Sequence, residues 1–179
     1  MCVAGQHEVQ VKSAEDILSI LIHGNANRTT ESTEANQTSS RSHAVLQVIC
    51  SYKDKNSGIR AEITVGKLSL IDLAGSERAS RTNNRGIRMI EGANINRSLL
   101  ALGNCINALH DNAMHNKSNY IPYRDSKLTR LLKDSLGGNC RTAMIANIAG
   151  ASPYFEETLN TLKYANRAKN IKTNIQKKT

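Results

Sequence analysis

The 179-residue sequence reads as an α/β layered fold. Three observations predict it: short apolar runs of strand length, longer stretches whose apolar residues recur at helical spacing, and the alternation of the two along the chain. In "SAEDILSILIHG" Ser13 is the N-cap of a first helix and Asp16 stands three residues on. Ile17, Leu18, Leu21 and Ile22 form its apolar side, and Gly24 ends it. After a polar loop, "HAVLQVICSY" and "AEITVGKLSLIDL" read as two strands joined through "KDKNSG", an antiparallel hairpin. From Gly92 to about His110, helical spacing recurs at Ile95, Leu99, Leu102, Ile106 and Leu109. "RDSKLTRLLKDSLGG" predicts a helix that begins near Asp125 and ends at Gly137 and Gly138, with Leu128, Leu131, Leu132 and Leu136 pointing inward. "TAMIANIAG" reads as a short buried strand. Ser152 and Pro153 then open a last helix, with Glu156 and Glu157 suited to its positive end and Leu159, Leu162, Ala165 and Ala168 on its apolar side.

No internal repeat or linker divides the chain, and its 39% apolar content suits one domain piece with a core. The apolar stretches are too short to cross a bilayer, and Met1 to Gly5 lacks the pattern of a signal peptide, so no membrane partner is expected. Cys2, Cys50, Cys105 and Cys140 are far apart, which points to neither zinc nor a disulfide framework and fits a reducing cytosolic setting. Charge is divided unevenly. Lys plus Arg against Asp plus Glu is 7 to 8 over residues 1–76, net −1, and 17 to 7 over residues 77–179, net +10. The second part calls for an acidic partner: nucleic acid, an anionic membrane or an acidic protein polymer. With one Phe, five Tyr and no Trp, a base-stacking platform is disfavoured.

Two polar clusters carry the chemistry. "SLIDLAGSE" places Asp72 at the end of an apolar run, Leu68 to Leu73, that reads as a strand covered on both faces; in α/β proteins the carboxyl ends of strands face the ligand. A carboxylate there can hold hydrated magnesium beside a nucleotide, and Gly75 lets a backbone N–H approach a terminal phosphate. The same residues also make an ordinary turn capped by Asp72, and alone they lean to that reading. "NQTSSRSH" is a polar loop in which Ser40 could ligate magnesium or its water, Ser39 could bond a phosphate oxygen, and Arg41 could pair with Glu77. It is equally a turn rich in backbone-bonding side chains.

Together with "EGANINRSLLALGNCINAL", "IPYRDSKLTRLLKDSLGGNCRT" and "TLKYANRAKNI", these motifs stand in the order seen in kinesin motor domains, which the chain resembles from Val9 onward. "SERASRTNNRGIRMIEGANINRSLLALGNCINALHD" is most similar to the eighth kinesin family. The resemblance implies a partial kinesin-type P-loop NTPase motor fold, a central mixed sheet with helices on both faces. Residues 1–171 would be its carboxyl-side half and residues 172–179 the start of the neck linker. It implies ATP or ADP and Mg2+ as ligands, with Ser39 and Ser40 at the γ-phosphate and magnesium, and Asp72 holding the metal through water. Gly75 would sense γ-phosphate, and an Arg41–Glu77 bridge would help order the attacking water. It implies that residues 92–110 are the relay helix against tubulin, and that Arg124, Lys127 and Arg130, spaced by three, grip microtubules; such a row is otherwise a solvated helix face. "KTNIQKKT", which would dock as neck linker, is otherwise a frayed tail. A cytoplasmic, microtubule-bound location is implied, with no nucleic-acid partner and any dimer contact outside this chain.

The family's phosphate loop, G-x-x-x-x-G-K-[ST], is missing. The one Gly-Lys pair, Gly66-Lys67, has Ala61 at the required distance before it and Leu68 after it. The chain is therefore expected to lack the amino-side half with the phosphate-loop strand, to leave strand edges and apolar surface open, and not to hydrolyse ATP alone. Three readings follow in order: part of an ATP-driven microtubule motor, a truncated microtubule-binding module without turnover, and a nucleic-acid binder that rests on net charge alone.

Overall fold

The computed structural model describes residues 5, 7–28, 42–53, 63–75 and 87–173. They fall into two compact units, His7–Gly75 and one built on Ser76–Thr179. The boundary coincides with the change in charge, so the second unit carries the basic excess.

In the first unit, helix α1 spans Ala14–Ala26 and starts as its sequence dictates. The Ser13 hydroxyl accepts from the Asp16 N–H at 3.2 Å, and the Asp16 carboxylate accepts from the Ser13 and Lys12 N–H groups at 3.0 and 2.9 Å. These bonds hold the Asp16 carboxyl below its ordinary pKa, the Lys12 N–H contributing most. Gly24 does not end the helix; it continues to Ala26 and is capped by Asn27. Leu18 and Ile22, expected inward, are exposed.

Strands β1, Ala44–Lys53, and β2, Ile63–Asp72, form the expected antiparallel pair, in a register that runs from Ala44 opposite Asp72 to Lys53 opposite Ile63. Among the described residues the sheet has two strands. One expectation is corrected here. The run from Leu68 to Leu73 is not covered on both faces, since Leu68 and Leu70 are 57% and 51% exposed. The reason is geometric: a strand is covered on both faces only where other elements pack above and below the sheet, and no described helix packs closely on β1 or β2.

The core of the second unit lies along α2, Ile87–His115, which extends beyond the predicted 92–110 at both ends. Ala101, Leu102, Cys105, Ile106 and Leu109 are buried, one stripe at helical spacing. Burial and the Asp125 charge push the Cys105 thiol up to about 11, so it packs as a small apolar group. Against this stripe lie α3, Lys127–Leu131, and α5, Phe155–Ala168. The expected single helix from Asp125 is instead a 3₁₀ turn at Tyr123–Asp125, then α3, then α4, Lys133–Gly137. Ser126, not Asp125, is the N-cap of α3. Leu128 and Leu132 are buried as expected, and helical bonds from Leu132 N–H to Leu128 and from Leu136 N–H to Leu132 cross the break between α3 and α4.

Helix α5 meets α2 through Tyr164, whose ring fills the space a side chain on Gly103 would take, and through Arg167, which donates to Asn107 Oδ1 at 2.7 Å. Its inward side therefore differs from the one expected, and Leu159 and Leu162 are 39% and 46% exposed. Pro153 lies in a 3₁₀ turn, Ser152–Tyr154, whose N-cap is Ala151; Ser152 makes no capping bond. "TAMIANIAG" is irregular and mostly exposed, not a buried strand, because among the described residues no strand lies alongside to take its N–H and C=O groups.

With Ile49, Ile63, Val65, Leu68 and Leu70 exposed on the ribbon, the isolated 179-residue chain is expected to unfold broadly and to associate. Thermal scans of helical signal at several concentrations check this. A sharp, concentration-independent transition from a monomer contradicts it.

Candidate functional site

Two constellations contain described residues of the motifs, one in each unit. The first forms at the Ala44–Asp72 end of the ribbon. Continuing the antiparallel register past Ala44 sets His43 opposite Leu73, beside the backbone that leads to Gly75. The Ala74 N–H donates to His43 Nδ1 at 3.0 Å, and Ala74 is buried. Arg28, just beyond α1, donates from Nη1 to Asp72 Oδ2 at 3.0 Å, from Nε to Ser42 Oγ at 3.1 Å, and from Nη2 to the Ser42 carbonyl. One guanidinium thus ties the segment entering β1 to the residue ending β2.

Asp72 stands where its sequence context puts it, at the strand end, with its side chain 66% exposed. That exposure leaves the carboxylate open to solvent while Arg28 fixes one oxygen. Gly75 is half-buried and directly follows the braced Ala74. Ser39, Ser40, Arg41 and Glu77 lie outside the described residues, so the expected Arg41–Glu77 bridge is not among the contacts seen. Arg28, Ser42 and His43 were not singled out from sequence. Ser42 and His43 sit inside the quoted loop motif, but nothing local signals Arg28.

A hard oxygen donor suits magnesium, and Asp72 is one. No group of three or more His, Cys, Asp or Glu residues that could hold a metal ion occurs among the described residues. Asp72, with its carboxylate open to solvent, would suit such an ion directly or through a bound water.

The second constellation is basic. Arg124, Lys127 and Arg130 are all exposed, Arg124 in the 3₁₀ turn and Lys127 and Arg130 on α3. Arg130 Nη2 donates to the Arg124 carbonyl at 3.1 Å, so its side chain reaches back along the row. Beneath it, Ser126 and Thr129 form a capping box, with the Thr129 N–H donating to Ser126 Oγ at 3.0 Å and the Ser126 N–H to Thr129 Oγ1 at 3.2 Å.

The family description "Kinesin motor domain" matches residues 1–171. The chain belongs to the kinesin family. It is 63% identical over 174 residues to Kinesin-like protein KIF19 of Homo sapiens, covering 97% of this chain and 17% of that protein. It is 63% identical over 163 residues to Kinesin-like protein KIP3 of Saccharomyces cerevisiae, covering 91% of this chain and 20% of that one. Similarity to KIN-8A of Arabidopsis thaliana, 57% over 169 residues, covers 94% of this chain and 23% of that protein and accords with the eighth kinesin family. The solved structure of a KIF14 dimer with AMP-PNP in complex with a microtubule aligns with TM-score 0.90 and 43% identity, over 98% of this chain and 49% of that chain. This kinesin chain therefore has a partial motor fold. It spans 17% to 23% of the length of the named curated relatives.

Burial, then the Arg28 charge, hold the His43 imidazole below its ordinary pKa, against a smaller upward pull from Asp72. The neutral ring is the form that accepts from Ala74. His43 therefore stabilises the fold fully above the ordinary imidazole pKa, and this contribution is lost as pH falls through the lowered value. NMR titration is expected to show His43 protonating below free histidine together with loss of Ala74 amide protection. Arg28→Ala is expected to move the titration upward; an unchanged titration in that variant contradicts the assignment.

Proposed function

We propose that this kinesin chain supplies the phosphate-sensing loops and the filament-gripping side of an ATP-driven microtubule motor of the eighth kinesin family. The observation that carries the reading is the family match over residues 1–171, with both loop motifs and the basic row in family order. The microtubule and nucleotide in the KIF14 structure support the same assignment by similarity.

In this reading Asp72 holds a magnesium-bound water, and Arg28 keeps its carboxylate turned to the strand end. The Gly75 N–H meets the terminal phosphate, while Ser39 and Ser40 take phosphate and magnesium. Arg41 and Glu77 join the two loops. ATP with Mg2+ supplies the transferable phosphoryl group and the charge that both loops sense. The residues of this chain sense and do not cradle, because no phosphate loop is among them. Residues 172–179 begin the neck linker. The location is the cytoplasmic microtubule cytoskeleton, and any dimer contact is assigned to regions outside this chain.

Arg124, Lys127 and Arg130 face the acidic filament, with Asp125 the one carboxylate in the same turn. A basic, exposed row of this kind binds with a strong salt dependence. The reading is tested by cosedimentation of the chain with microtubules at rising salt. Binding at low salt is expected to weaken about tenfold or more when all three cations become alanine, as the loss of several screened charge contacts predicts. No pelleting of the unaltered chain at low salt contradicts the reading. Microtubule-stimulated ATP turnover by this chain alone is not expected; turnover abolished by Asp72→Ala would show that the phosphate loop is dispensable.

A further inference from the structure

We infer that Thr129 is the positioning residue of the basic row, its buried hydroxyl fixing the turn from which Arg124, Lys127 and Arg130 project. The inference rests on the microtubule-facing role proposed above. Thr129 is 0% exposed and lies beside the buried Leu128, with the exposed Lys127 and Arg130 flanking the two. A buried hydroxyl must be fully partnered, and the partners here set the turn. Thr129 Oγ1 is 2.9 Å from the Tyr123 carbonyl, 3.1 Å from the Ser126 carbonyl, 2.9 Å from Ser126 Oγ and 3.2 Å from the Ser126 nitrogen.

The hydroxyl has one proton to give. It donates toward the Tyr123 and Ser126 carbonyls and accepts from the Ser126 N–H. Its single proton is committed to a carbonyl, so the Ser126 hydroxyl is the donor in the bond between the two side chains. Both ends of the Tyr123–Ser126 turn are thereby bound to one atom. Arg124 lies inside the turn, Lys127 follows the N-cap, and Arg130 follows Thr129 and bonds back to the Arg124 carbonyl. Fixing the turn sets the backbone from which the three side chains leave, and the Arg130 bond to the Arg124 carbonyl holds one of them, which lowers the ordering cost when an acidic surface is met.

The other side chains of the turn are Asp125, whose charge reaches Cys105, and Tyr123, whose phenol lies beside Gly137 and is held above its ordinary pKa by burial. Neither side chain bonds the Thr129 hydroxyl among the contacts described. The alignment is therefore assigned to Thr129 and its capping partner.

The test compares the full 179-residue chain with Thr129→Val, which keeps volume but removes the hydroxyl, and Thr129→Ser, which restores it. Microtubule cosedimentation over a salt series, less what each variant pellets without microtubules, is the main readout, with helical signal measured alongside. Thr129→Val is expected to bind about three- to tenfold more weakly, with a shallower salt dependence, the scale of one or two screened contacts. Thr129→Ser is expected to bind as the unaltered chain does. In an Arg124→Ala, Arg130→Ala background the effect of Thr129→Val should shrink, because the hydroxyl acts through those side chains.

Unaltered binding and salt dependence in Thr129→Val would overturn the inference, as would a loss that simply adds to the arginine losses. Global loss of helix in Thr129→Val would make Thr129 a core residue and overturn it too. If the unaltered chain fails to pellet, the microtubule reading falls separately. Amide exchange then decides the positioning role: faster exchange at Ser126 and Arg130 in Thr129→Val than in Thr129→Ser supports it, and equal rates refute it.

Discussion

Backbone N–H and C=O groups left over at the end of a helix or strand must find partners, and both constellations are built from that requirement. At the end of β2 the Ala74 N–H finds His43, and the Ser42 carbonyl at the entrance to β1 finds Arg28. At the start of α3 the Tyr123 and Ser126 carbonyls and the Ser126 N–H find Thr129. In each case the side chain that satisfies the backbone also fixes a charged neighbour. Arg28 binds Asp72, and the Thr129 turn carries Arg124 and Arg130.

The two units meet this requirement with different amounts of apolar cover. Along α2 a continuous stripe from Ala101 to Leu109 is buried against neighbouring helices, and Leu128 and Leu132 join it. The basic row is anchored on that packed base. In the ribbon, ladder bonds hold β1 to β2 while apolar side chains stay exposed, so order at the Asp72 end depends more on specific polar contacts. His43 shows the consequence: its acceptor role holds only in the neutral form, which the Arg28 charge and burial favour.

Much of the site was legible in the residues. The place of Asp72 at a strand end and the exposure of Arg124, Lys127 and Arg130 follow from pattern, and both are seen. Other members were not legible. Arg28 meets Ser42 and Asp72, residues 14 and 44 positions away, and no local rule links them. Thr129 reads as a neutral residue among cations until the turn folds over it. His43 stands inside a quoted motif, yet its role depends on a register that brings it beside residues 73 and 74.

The sequence by itself determined what short-range physics controls. The Ser13–Asp16 capping box, the apolar stripe of α2 and the antiparallel pairing of β1 with β2 follow from residues within a few positions or from a simple alternation. Family membership was likewise carried by motifs in order. Tertiary structure decided the rest. Residues 142–150 have strand-like composition but no strand beside them among the described residues, α1 runs past Gly24, and α5 turns Tyr164 and Arg167 toward α2 instead of Leu159 and Leu162. A strand, a helix end and a buried face each require a partner group from elsewhere in the chain, and only the folded molecule supplies it or withholds it.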